Sequence, residues 1–404
     1  MSARLKLNYF TPLRPERTGI AEFSLDVLPA LGELADVAVW TYQAEWTPID
    51  APGVTVRRYD RSAGPGQLAG ADMTFFNMGN NFRFHGAIFE AARQFPGVVI
   101  LHEPNLQYFF FDRARASAKY RRDYMAIVAR HYGDKGVGAA RRLFWRTLNV
   151  ERMLVHYPMT EAALEGALAV VTHDRTVRRN VEQSTGLPTF FLPLAHRSRQ
   201  GATAAKLAHD PPYKLITFGY MNENRRLDAI ARAILSLPEH DRFVWDLYGM
   251  FRINLVPRLT RWRLGGAFRP HGYVQANALD AAVAAADLAI NVRNPSMGEA
   301  SSTQLKTWAH GLPSLVSRTG WYADQPADTL FFVEPGREFE EVASYLRAFL
   351  DNPEPFFQAG RRGREYVERV HNPAHYAAGL IDIAKEIAAH RARDLTPGRP
   401  ATLR

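Results

Sequence analysis

Glu299 is followed almost at once by three hydroxyl side chains, Ser301, Ser302 and Thr303, in the stretch Arg293–Pro313, which reads RNPSMGEASSTQLKTWAHGLP. Downstream, Leu305, Trp308, Ala309 and Leu312 fall at i, i+3, i+4 and i+7, one buried helical stripe, and Gly311-Leu312-Pro313 supplies a stop. The helix is therefore expected to begin near Ser301. Its first backbone N–H groups are unpaired and its dipole is positive there, so hydroxyls at that end suit a phosphate. The same residues also suit an ordinary capped helix, with Glu299 favourable to its dipole. If a phosphate does bind, it repels Glu299, whose partner is then a neutral hydroxyl-rich group such as a sugar.

Two further sets of residues carry similar chemistry. Arg225 and Arg226 end a loop, Gly219–Arg226, that leads into a helix marked by Leu227, Ile230, Ala231 and Ile234. A guanidinium there can grip phosphate with its planar fork, although two adjacent arginines also serve as plain surface charge. In the first half, Thr18-Gly19 opens a helix of Phe23, Val27, Leu28 and Leu31, so Gly19 sits where backbone can approach a ligand. His102-Glu103 ends a strand and can bind a sugar hydroxyl, or His102 can be a simple structural donor.

The elements that must position these groups alternate. Leu5–Phe10, Val37–Thr41, Val54–Tyr59, Met73–Asn77, Val98–His102 and Leu168–Thr172 are short apolar or β-branched runs separated by helical stretches, the pattern of a parallel α/β sheet. Ligands in such sheets bind beyond the carboxyl ends of the strands, which is where Gly19 and His102 fall. His196–Tyr213 is small, polar and carries a Pro pair, so it is expected to be a linker. Strands then resume at Tyr213–Phe218, Phe243–Tyr248, Phe268–Val274, Leu288–Val292 and Ser314–Ser317. The expectation is an N-terminal Rossmann-like domain over 1–200, a second over 213–370, and over 371–404 a helix crossing back to the first domain with a flexible tail.

Composition narrows the function classes. The 404 residues include no cysteine, which excludes disulfides, thiolate metal sites and a cysteine nucleophile. There is no Asp-x-Asp pair and no His-Glu-x-x-His motif, so no metal is expected. No run of eighteen apolar residues and no signal-like apolar block occurs, which predicts a cytoplasmic protein. The net charge of +9 is concentrated, because residues 113–152 hold eleven Lys or Arg against three acids. Tyr120, Tyr124, Tyr132, Phe144 and Trp145 are interleaved with them. A nucleic-acid binder would spread or repeat its charge, so none is expected as a partner. The segment either docks on an anionic membrane surface or is a solvated helical face.

Taken together, FGYMNENRRLD from Phe218, HGYV from His271, AADLAINVRNPSMGEASSTQLKTWAHGLPSLVS from Ala285 and LDNPEPFFQAGRRGREYVERV from Leu350 resemble the retaining glycosyltransferases of family 4, which have the GT-B fold. More loosely, PLRPERTGIAEFS, MGNNFRFH and LHEPNLQ in the first half look like a bacterial branch of that family. The resemblance implies two Rossmann-like domains facing each other across a cleft. It also implies transfer of a sugar from a nucleoside diphosphate donor to a glycan or lipid-linked acceptor, in polysaccharide or glycolipid biosynthesis, with retention and without a metal or other cofactor. Carried over by position, Gly19 matches the phosphate-side glycine and Arg225 the cation that holds the diphosphate, with Gly219 and Arg226 in its loop. Ser301 and Ser302, with Thr303 beside them, match the helix start that meets the phosphates, Glu299 lies near the first acid of a two-glutamate motif, and His102 matches a sugar-side histidine. Counted back from Gly311, the first acid position falls on Gly298 and the second on Lys306, a departure at the ribose side. A non-catalytic nucleotide-sugar-binding protein and a nucleotide-sugar epimerase are the alternatives. The expected catalytic set is Arg225, Glu299 and His102.

Overall fold

The computed structural model describes residues 4–148, 150–198, 209–251 and 267–394. The expected linker falls partly outside them, at 199–208, as does the expected tail beyond residue 394. The described residues form two compact units, each built on one parallel sheet.

In the first unit the strands are β1 (Lys6–Phe10), β2 (Asp36–Thr41), β3 (Val54–Arg58), β4 (Met73–Met78), β5 (Val98–Leu101), β6 (Ala169–Thr172) and β7 (Thr189–Phe191). They lie in the order β3-β2-β1-β4-β5-β6-β7 with every neighbouring pair parallel. Between and around them run α1 (Gly19–Leu34), α2 (Phe82–Ala92), α3 (Gln107–Ala116), α4 (Ala118–Phe144), α5 (Val150–His156), α6 (Thr160–Ala163) and α7 (Arg175–Thr185). All six residues of β4 are buried, as are all four of β5 and of β6. Strands covered by helices on both faces have no polar side to present, which is why these runs are continuously apolar rather than alternating.

The second unit carries β8 (Tyr213–Phe218), β9 (Phe243–Tyr248), β10 (Phe268–Gly272), β11 (Leu288–Asn291), β12 (Ser314–Ser317) and β13 (Phe331–Val333). Their order is β10-β9-β8-β11-β12-β13, again parallel throughout. Its helices are α8 (Leu227–Leu235), α9 (Ala276–Ala285), α10 (Ser302–Ala309), α11 (Glu338–Asp351) and α12 (Glu354–Val370). The last helix, α13 (Pro373–Asp394), belongs to the first unit, where Tyr376 packs edge-on to Phe23 of α1 at 5.2 Å. Met297–Ala300 also packs with the first unit.

Strand order reverses between β1 and β4 in the first sheet and between β8 and β11 in the second. Diverging loops open a crevice beyond the carboxyl ends at such a point, the usual ligand position in open α/β sheets. The second sheet delivers Gly219 and Asn291 to that point, and the first delivers Thr11 and Gly79.

Candidate functional site

In the second unit the site is assembled around two glycines. Gly219 leaves β8 at φ +110°, and Gly249 leaves β9 at φ +138°, both in a region that disfavours side chains. A Cβ on Gly249 would lie 1.8 Å from the Gly219 carbonyl oxygen, so the two strand ends touch backbone to backbone. A Cβ on Gly219 would meet Arg225 Nη2 at 2.8 Å and Thr303 Oγ1 at 3.4 Å. The missing side chain therefore leaves a guanidinium directly beneath the backbone and the first turn of α10 beside it.

Arg225 was expected as a loop cation rather than a core contact, and this is corrected: its side chain is only 4% exposed. It sits in the short 3-10 turn Glu223–Arg225 and folds back under the strand end. Nη1 donates to Asn291 Oδ1 at 2.6 Å, Nη2 to the Phe218 carbonyl at 3.3 Å and Nε to the Tyr220 carbonyl at 3.3 Å. Asn291 Nδ2 in turn donates to Gln304 Oε1 of α10 at 3.3 Å, and Gln304 Nε2 donates to Ser314 Oγ at 2.8 Å. A relay of buried amides thus ties the guanidinium to the helix. The acceptors named are neutral groups, so they orient the cation without cancelling its charge.

The helix start also needs a correction. Ser301 is 1% exposed, and its Oγ accepts from the Gln304 N–H at 3.1 Å, from the Tyr322 hydroxyl at 2.7 Å and from Arg293 Nη2 at 3.4 Å. Its side chain is an N-cap, the alternative considered for it, rather than a hydroxyl turned toward a ligand. Ser302 is exposed and Thr303 half-buried against Gly219, and these two present hydroxyls at the open end of α10. Arg226 adopts φ +53°, and its Nε stands 3.5 Å from the buried Glu338 Oε1. Burial pushes the Glu338 carboxyl up, but hydrogen bonds from the Gly336 N–H and Asn294, aided by Arg226, outweigh it and hold it below its ordinary value. Arg226 is committed to that carboxylate.

Lys306 lies one turn beyond Thr303 on the same face of α10. It forms an ion pair with Asp280 of α9, which His310 also approaches at 3.6 Å. Glu299, in the segment that packs with the first unit, accepts from the Met297 N–H at 3.1 Å.

In the first unit, His102 follows β5 and is half-buried. Its Nε2 lies 2.9 Å from Asn77 Oδ1, which also accepts from the Tyr9 hydroxyl at 3.2 Å. Burial, with His173 and His85 nearby, holds His102 well below the ordinary histidine value, so the ring is neutral at pH 7. A neutral ring that donates from Nε2 offers Nδ1 as an acceptor, suited to a hydroxyl and unsuited to a phosphate. Gly19 is exposed at the first position of α1, which Thr18 caps through its hydroxyl on the Ile20 N–H at 3.3 Å.

Sequence reasoning missed Asn77 and Asn291, the residues that hold His102 and Arg225. Each is an asparagine near the end of a fully buried, mainly apolar strand, MTFFNM and LAIN, and that buried amide was the available signal. Gly249 was missed as well, since only the fold brings it against Gly219.

The sequence matches no protein-family model and no curated protein. Solved structures do resemble it in three dimensions. Sucrose-phosphate synthase from Thermosynechococcus elongatus superposes with a TM-score of 0.65 at 15% identity, over 96% of this chain and 100% of that one. Anabaena HepE, solved with UDP, superposes with a TM-score of 0.59 at 12% identity over 96% and 100%. WaaG, a glycosyltransferase involved in lipopolysaccharide biosynthesis, gives 0.58 at 14% identity over 92% and 98%. The chain has the GT-B fold. That likeness spans both units and agrees with the α/β class expected from the strand pattern.

Proposed function

We propose that the protein is a retaining, metal-independent hexosyltransferase of family 4. It moves a sugar from a nucleoside diphosphate donor to a glycan or lipid-linked acceptor on the cytoplasmic side of a cell envelope. The observation that carries this is the Arg225 guanidinium, held by Asn291 beneath the bare backbone of Gly219 and beside the open start of α10. Phosphate oxygens approaching Gly219 would meet the cation from one side and the Ser302 and Thr303 N–H groups and hydroxyls from the other. HepE, of the same fold, has been solved with UDP and with UDP-glucose, which supports this class of donor.

As the bond from the anomeric carbon to the diphosphate breaks, negative charge grows on the leaving phosphate. Groups fixed in advance around it lower the barrier without reorganising. Glu299 and neutral His102 would bind sugar hydroxyls, and the acceptor would sit on the first unit near Gly19. Its proton can pass to the departing phosphate oxygen, so the transfer needs no separate base. A second reading, a non-catalytic nucleotide-sugar binder, draws on one observation: Lys306, paired with Asp280, occupies the position where the family has its second acid.

A donor screen tests both. The protein is incubated with UDP-, GDP- and ADP-sugars while thermal shift and slow release of nucleoside diphosphate are followed. Stabilisation with release supports the transferase, stabilisation without release the binder, and no stabilisation by any donor contradicts both.

A further inference from the structure

The basic segment acquires a shape that its linear sequence hides. Helix α4 is interrupted at Gly133, whose φ of +58° and ψ of −157° are not helical. A straight helix would separate Arg121 from Phe144 by about 34 Å at 1.5 Å per residue. Instead the Arg121 guanidinium lies over the Phe144 ring at 5.0 Å, and Tyr124 meets the same ring edge-on at 5.8 Å. The two arms of α4 therefore double back, with Gly133 at one end and Arg121, Arg122, Arg141 and Arg142 gathered at the other. Phe111 of α3 packs on Phe144 at 5.5 Å and brings Arg115, whose guanidinium covers Phe111 at 5.8 Å.

At the tip formed where the two arms end, opposite Gly133, stands Trp145, 74% exposed, the most exposed of the large apolar side chains among the described residues. Arg146 follows it at φ +58° and is exposed, as are Arg115, Arg121, Arg122, Arg141 and Arg142. Other cations of the segment are already engaged: Arg113 is 8% exposed and paired with Asp123 at 3.2 Å, and Arg130 is paired with Glu165 at 2.9 Å.

We propose that the folded tip of α4, with Trp145 at its centre and arginines around it, docks on the surface of a lipid bilayer rich in anionic headgroups. An indole held out in water costs free energy. Its apolar body and single N–H donor match the headgroup boundary, where tryptophan is stable half-inserted. The surrounding guanidiniums meet lipid phosphates and keep their charge in the aqueous layer. A soluble polyanion satisfies the arginines but offers the indole nothing, which favours the bilayer. No helix among the described residues is long and apolar enough to cross a membrane, so the contact is peripheral. The inference does not rest on the donor chemistry, because the tip lies in the first unit and Arg225 in the second.

The test is sedimentation of the full chain with phosphatidylcholine vesicles, with and without 30 mol% phosphatidylglycerol, at about 50 and 500 mM NaCl. Binding is expected only with the anionic lipid and is expected to fall with salt. Replacing Arg121, Arg122, Arg141 and Arg142 by glutamate should lower the partition coefficient by on the order of 100-fold or more. Trp145→Ser should lower it by about 10-fold. Both variants should keep the wild-type melting temperature and donor hydrolysis, which separates this outcome from failure of the transferase reading. No binding to anionic vesicles at low salt overturns the proposal. So does binding that is indifferent to Trp145 and displaced by soluble polyglutamate, which would assign the tip to an acidic protein instead.

Discussion

Replacing Arg225 with alanine should damage the fold and the chemistry together, by amounts that the structure separates. The 2.6 Å bond to Asn291 is charge-assisted and contributes about 1.5–3 kcal/mol, and the two 3.3 Å bonds to carbonyls add about 0.5 kcal/mol each. Their loss also leaves the buried Asn291 carbonyl group without its donor, so a destabilisation of roughly 2–4 kcal/mol is expected. In a domain of this size that lowers the melting temperature by about 5–15 °C. Turnover, measured well below the new transition, should fall by about 100-fold, on the order of 3 kcal/mol of lost charge stabilisation. Arg225→Lys keeps the charge but cannot span both Asn291 and the strand-end carbonyls, so it should restore part of the turnover and little of the stability. Scanning calorimetry read beside initial rates of nucleotide release makes the comparison. An alanine variant that melts within a degree of wild type, or turns over within a few-fold of it, refutes the placement of this guanidinium.

Gly219→Ala forces a Cβ to within 2.8 Å of the guanidinium at a φ of +110°, so it should weaken nucleoside diphosphate binding at least 10-fold, checked by calorimetric titration. Glu299→Gln should lower turnover with little change in UDP or GDP affinity; much weaker binding of the nucleotide alone would move this acid to the nucleoside. His85, 1% exposed, is pushed down to about 4 by burial, against its hydrogen bond to the Asn77 carbonyl. The unfolded chain therefore binds the proton first. The stability from keeping this ring neutral is complete above about pH 6.5 and is lost as pH falls toward 4, roughly 3 kcal/mol in all. A melting temperature that stays flat between pH 7 and pH 4.5 would sink that assignment.

Periodicity made the frame legible. Strand runs such as VVIL and AVVT, and the stripe of Leu305, Trp308 and Ala309, are buried by the elements they announce. The three-residue strands β7 and β13 carry too little pattern to be read and exist because a neighbouring strand edge recruits them. At the site, Gly219, Arg225 and Thr303 were legible as types, but their convergence was not. Arg225 was read as a loop cation facing a phosphate rather than as a core contact, because it ends a loop at a strand's carboxyl end. The structure buries it because Asn291 and two strand-end carbonyls replace its hydration. Ser301 shows the converse error, since a hydroxyl at a helix start serves its own helix before it serves a ligand. The tip of α4 was hidden for a third reason: one non-helical glycine turns a linear charge run into a cluster.

The central claim is that a nucleoside diphosphate binds where β8, β11 and α10 meet. Hydrogen exchange of backbone amides, with and without saturating UDP, GDP or ADP, tests it most directly. For at least one of the three, exchange should slow at Tyr220 and at Ser302 and Thr303, whose N–H groups would face the phosphates. Tight binding with protection confined to the first unit, or no protection with any of the three, would contradict it.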